Sequence, residues 1–79
     1  MTTLEKLAKH IKKPRKIRGI SADKLAYSCG LSKTALSYIE RCLKDPKLST
    51  LEKIAYGLDV PLRELFNFNY AKYDKTERR

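Results

Sequence analysis

An all-α fold, compact and built from five helices, is what this sequence predicts, and three features predict it. Apolar residues recur at i, i+3, i+4 and i+7 in two separate stretches, the spacing that lines one face of a 3.6-residue helix. Boundary residues stand where those stretches begin and end, serine ahead of a helix and glycine or proline behind it. Strand-like alternation is confined to Phe66, Phe68 and Tyr70, and Phe66, Tyr70 and Tyr73 match a helix face equally well, so the end of the chain stays open between the two.

The first helix rests on Leu4, Leu7, Ala8 and Ile11, which share a face, with Lys6, Lys9, Lys12 and Lys13 on the others. Pro14 has no backbone N–H and crowds the preceding turn. The helix is therefore expected to kink or end near Lys13, with a further short turn reaching Arg18 and stopping at Gly19. Ser21 caps a second helix by accepting from an exposed N–H, and Gly30 closes it, since glycine enters the left-handed conformation without a Cβ penalty. Ser32 caps a third. At ~100° per residue, Lys33, Thr34, Ser37, Tyr38 and Arg41 fall within a polar arc of roughly 140°, with Leu36, Ile39 and Leu43 opposite. Asp45 and Pro46 mark a loop. Ser49 and Glu52 read as a capping box for a fourth helix, whose core face is Leu51, Ile54, Ala55 and Leu58 and which leaves Gly57 off that face. Asp59, Val60 and Pro61 break it. Pro61 suits the first position of a short fifth helix carrying Leu62, Leu65 and Phe66. Residues 74–79, DKTERR, carry no apolar side chain and are expected to fray.

A chain of 79 residues is one domain, burying about 60% of the surface its unfolded form exposes, a margin that dimerisation would improve. We expect the domain at 1–67 and a tail at 68–79. Eighteen Lys and Arg against nine acids give a net charge of +9, which points to a polyanionic partner, nucleic acid ahead of an anionic membrane surface. The first helix is basic enough for a membrane surface, but its apolar face is narrow and lacks Trp or Phe. No stretch approaches the roughly 18–20 consecutive apolar residues of a membrane span. Cys29, Cys42 and the distant His10 do not make the ligand set of a zinc site, so no metal or cofactor is expected. Both cysteines are expected to stay reduced, Cys29 as a packing residue and Cys42 at a helix end. His10 has no Ser or Cys partner at a recognisable spacing, and three glycines do not make a phosphate loop. An enzyme is not expected.

Residues 21–41 thus read as two short helices joined by a tight turn, a helix-turn-helix. Its second helix has an apolar back and an outer face of one Lys, two hydroxyls, a phenol and one Arg. Such a helix can sit on a domain and offer donors to something anionic and groove-shaped, for which DNA is the first candidate. The same helix pair taken alone also fits a plain helical hairpin of a small bundle.

Three runs carry a resemblance: GIS-x-x-x-LA at Gly19 to Ala26, GLS-x-x-x-LS-x-IE at Gly30 to Glu40, and P-x-LSTLEKIA-x-x-LDV-x-x-x-ELF at Pro46 to Phe66. In this order the chain resembles the lambda-repressor and Cro type of helix-turn-helix domain, a family that includes phage repressors and restriction-modification controller proteins, over about residues 4–66. The resemblance implies five helices with the third in the major groove, usually in a twofold dimer. It implies base contacts from Lys33, Thr34, Ser37 and Tyr38, with Ser32 beside them, and groove-edge or phosphate contacts from Arg41 and Lys44. It also implies an ion pair of Arg15 with Glu40 linking the first helix to the third. Leu62, Leu65 and Phe66 become candidate dimer contacts, though they could equally complete the monomer core. Three departures stand out: Ala22 where many relatives carry a phosphate-binding Gln, Pro14 where a core Leu is common, and Cys42 where Gly is frequent. The expected function is a homodimeric, sequence-specific regulator of transcription, repressor or controller, on double-stranded DNA with a pseudo-palindromic operator, in the cytosol of a bacterium or phage host. The alternative is an antitoxin-like module that binds a protein partner through Phe66, Phe68, Tyr70 and Tyr73 and DNA only secondarily.

Overall fold

A computed structural model describes residues 2–69. It has four α-helices, α1 Thr3–Ile17, α2 Ala22–Ser28, α3 Lys33–Glu40 and α4 Leu48–Leu58, followed by a 3-10 helix at Leu62–Phe66. No strand occurs among the described residues. The expected fifth helix is corrected to this 3-10 turn. Pro61 is extended at φ −68°, ψ 151°, and the N–H of Glu64 returns to the Pro61 carbonyl at 2.9 Å, a three-residue step that leaves no room for an α-helical ladder before Asn67.

Pro14 neither ends nor divides α1, which runs through it to Ile17. The missing N–H costs one bond of the ladder, and the residues around it hold the helix. Ile11 is wholly buried, Arg15 is bound to Glu40, and the Arg18 N–H resumes the ladder on the Pro14 carbonyl at 3.0 Å. The start of α1 carries a capping box. The Thr2 N–H donates to Glu5 at 2.7 Å and the Glu5 N–H to the Thr2 hydroxyl at 3.1 Å, and the Thr2 backbone and hydroxyl together hold the Glu5 carboxyl below its ordinary range. The expected box at Ser49 and Glu52 does not form. The chain leaves Pro46 extended and turns helical at Leu48, so Lys47 is the cap and Ser49 already lies inside α4.

All four α-helices close in one way. Just past each end one residue, the third beyond α1, α2 and α3 and the second beyond α4, returns its N–H to a carbonyl five positions back: Ile20 to Arg15, Leu31 to Ala26, Leu43 to Tyr38 and Val60 to Ala55, at 2.8–3.0 Å. Each closure needs a left-handed residue, and Gly19 and Gly30 supply two, whereas Cys42 (φ 61°) and Asp59 (φ 58°) adopt it with a Cβ. The turn at Cys42 also corrects Leu43. It leaves α3 before that position and stands 60% exposed instead of joining the apolar back.

Six side chains are wholly buried: Ile11, Leu25, Leu36, Ile54, Leu58 and Leu65, at least one from every element. Each contributes about 1.5–3 kcal/mol over an exposed position. α2 packs on α3 and α4, and α1 and α4 both pack on the 3-10 helix. Gly57 faces α2 after all: a Cβ there would stand 3.0 Å from Leu25 Cδ1 and 3.2 Å from Cys29 Cβ. Leu25 is wholly buried and Cys29 nearly so, so neither has space to yield. Gly57→Val is therefore expected to destabilise the chain by about 1–3 kcal/mol through overpacking, despite removing a helical glycine. A urea midpoint equal to or above the parent's would show that the two helices can part.

Beyond the 3-10 helix, contacts with α1 continue to Asn69. The Lys6 ammonium donates to the Asn69 carbonyl at 2.6 Å, one His10 ring nitrogen lies 3.0 Å from the Asn67 carbonyl, and the Phe68 ring lies on His10 with centroids 5.0 Å apart. Tyr70, Tyr73 and residues 74–79 lie outside the described residues.

Candidate nucleic-acid interface

The interface is built from α2, its turn and α3. Ser21 and Ser32 accept from the Lys24 and Ala35 N–H groups at 3.1 and 3.0 Å, so both helices start where a serine can cap them. Capping occupies the Ser32 oxygen and leaves its O–H proton to donate outward. Leu36 and Ile39 anchor α3 from behind, at 0% and 3% exposure, and so turn the opposite arc to solvent.

That arc forms one side of a shallow groove lined by Ala22, Asp23, Lys33, Thr34, Ser37, Tyr38 and Arg41. Of the residues expected to meet DNA, the groove gathers Lys33, Thr34, Ser37, Tyr38 and Arg41. Ser32 caps the helix beside it and Lys44 is exposed on the following bend. Tyr38 is 43% exposed, enough to present its hydroxyl. Ala22 gives the groove only a methyl group.

Asp23, which lies outside α3 and its periodic polar arc, lines the same groove. Its Oδ2 is 3.1 Å from the Lys33 Nζ. Ten positions separate the two residues, and the tight turn between the helices brings their first turns together.

The far end of α3 is held from beneath. Arg15 Nε and Nη2 donate to Glu40 Oε2 and Oε1 at 2.9 and 3.0 Å, a two-pronged pair, and Nη1 donates to the Ile20 carbonyl at 3.0 Å. Glu40 is buried at 8% exposure, and Arg15 is mostly covered at 11%. This pair makes α1 the base on which α3 is oriented.

The candidate dimer residues divide. Leu65 takes the second of the two roles left open to it: it is 0% exposed in the monomer's own core, and its 3-10 helix packs on both α1 and α4. Leu62 and Phe66 are half-buried and pack against the edge of that core. Cys29 is also a core residue, and burial pushes its thiol up from the ordinary value, which suits packing and not nucleophilic chemistry. No helix among the described residues is long and apolar enough to cross a membrane.

The family model described as helix-turn-helix (HTH_3) matches residues 11–65. The transcriptional regulator SinR of Bacillus licheniformis is 39% identical over 72 residues, which are 90% of this chain, and the chain spans 61% of that regulator's length. The crystal structure of the restriction-modification controller protein C.AhdI from Aeromonas hydrophila superposes with a TM-score of 0.78 at 32% identity, covering 80% of this chain and 96% of that one. A crystal structure of SinR, the master regulator for biofilm formation, in complex with DNA superposes with a TM-score of 0.72 at 39% identity, covering 77% of this chain and 98% of that one.

Proposed function

We propose, from the premise that this chain belongs to the helix-turn-helix family (HTH_3), that it is a sequence-specific regulator of transcription acting as a homodimer on a pseudo-palindromic operator in double-stranded DNA. The observation that carries this reading is the outer arc of α3, where Lys33, Thr34, Ser37, Tyr38 and Arg41 share one open groove while Leu36 and Ile39 hold the helix from behind. The likeness to DNA-bound SinR supports it.

In this reading α3 enters the major groove. Lys33 donates to guanine O6 and N7, Thr34 offers its methyl to thymine and its hydroxyl to either strand, and Tyr38 bonds a phosphate or packs on a sugar. Ser32, Arg41 and Lys44 take phosphates at the groove edge. Two copies set their α3 helices about 34 Å apart, one turn of duplex. Leu62 and Phe66 are the remaining candidates for the contact between copies. Regulation is by occupancy in the cytosol, with the basic surface supplying affinity and the α3 face selecting the site.

The test is selection of bound duplexes from a random pool at two salt concentrations. An enriched inverted repeat that persists at higher salt is expected. A pool with no motif, and binding that collapses with salt, would sink the reading and leave counterion release alone. Given a repeat, Lys33→Ala and Thr34→Ala should each relax selection at particular positions by about 1–3 kcal/mol, whereas Lys44→Ala should weaken all sequences alike.

A further inference from the structure

Lys33, the residue through which α3 would meet a base, is not free in the groove. Its Nζ lies 3.1 Å from Asp23 Oδ2, with the two side chains 75% and 62% exposed. Asp23 is the one acidic residue lining that groove, and it stands in the first turn of α2. A carboxylate is acceptor-only, so it repels the phosphates that the rest of the surface attracts.

We propose that Asp23 is a positioning residue for sequence selection: it keeps Lys33 off the phosphates of arbitrary DNA and leaves it available to a base edge. The inference rests on the reading that this groove meets DNA. An ammonium has three donors, so Lys33 can meet a guanine edge on the groove floor while one donor stays on Asp23. A phosphate taken by the same ammonium would set its charge beside the Asp23 carboxylate, a repulsion that a neutral base edge does not meet. Non-specific affinity counts the phosphates that are neutralised, and a lysine held by a carboxylate neutralises none. Asp23 therefore lowers binding to arbitrary sequence more than binding to the operator. The exposed pair is weak, as such pairs are, which lets it act in selection without locking the side chain. A carboxylate in the first turn of α2 also suits the positive end of that helix, but such a role would alter stability alone.

Binding of the full chain, Asp23→Asn, Lys33→Ala and the double variant would be measured on the selected operator and on a scrambled duplex of equal composition, each across a salt series. For Asp23→Asn, affinity for the scrambled duplex should rise about three- to tenfold and its log–log salt dependence steepen by about 0.9, the value of one added phosphate contact. Operator affinity should move less, so the ratio between the two duplexes falls. With Lys33→Ala already present, Asp23→Asn should not steepen the salt dependence, because no lysine remains to be released. An unchanged ratio and slope, or the same steepening without Lys33, overturns the inference, as does a shift confined to melting temperature. If the parent chain distinguishes no duplex, the regulator reading falls and takes this inference with it.

Discussion

Arg15→Ala is expected to lower the unfolding free energy by about 3–5 kcal/mol, because it leaves the Glu40 carboxylate buried without its counter-charge and the Ile20 carbonyl without its donor. Lys16→Ala, one residue along on the exposed side of α1, is expected to change stability by no more than about 0.5 kcal/mol. At this size each kcal/mol shifts the melting temperature by about 4–8 °C, so thermal denaturation should separate the two variants by at least about 10 °C. Equal melting temperatures would remove the pair from any structural role. Replacing both partners with apolar residues, Arg15→Met with Glu40→Leu, should recover much of the loss, since the penalty lies mainly in the stranded charge. The double variant also separates orientation from stability: if the pair orients α3, sequence selection should suffer even where folding is restored.

Leu65→Ala is expected to cost about 2–5 kcal/mol, the range for deleting a wholly buried leucine whose cavity cannot collapse. Urea denaturation at two well-separated protein concentrations tests the placement. A side chain of the monomer core gives the same loss at both. A dimer contact gives a loss that depends on concentration, because association then contributes to apparent stability. A concentration-dependent loss would return Leu65 to the interface and take it out of the core that joins α1, α4 and the 3-10 helix.

Most of the helical layout is legible in the sequence because its signals are local. Leu7 and Ile11, or Leu51, Ile54 and Leu58, declare a buried face by spacing alone, and Ser21, Ser32, Gly19 and Gly30 mark ends through their own backbone and side-chain chemistry. The Thr2 and Glu5 box is equally local, and its Thr-x-x-Glu spacing stands in the sequence to be found. The places where sequence expectation and structure part are those where distant residues intervene. Pro14 is carried through α1 because packing and the Arg15 pair outweigh one lost hydrogen bond. Ser49 and Glu52 have the right spacing for a cap, but the chain becomes helical one residue before Ser49. Gly57 looks idle on its own helix and matters only because α2 lies against it.

The candidate site divides along the same line. The polar arc of α3 follows from the order Lys33, Thr34, Ser37, Tyr38 and a helical period, so its members are readable without coordinates. Asp23 enters the groove only when the turn at Cys29 to Ser32 folds α2 against α3, a relation that no single-helix periodicity encodes. Leu65 and Leu62 are equally apolar in sequence, and which of them is core depends on the 3-10 turn after Pro61. Residue spacing and capping chemistry were thus sufficient for the helix-turn-helix and for the face it turns outward, since both arise within about four residues along the chain. The Asp23–Lys33 contact, the close fit at Gly57 and the burial of Leu65 were settled by packing between elements, because their energies depend on neighbours that the chain brings together only when it folds.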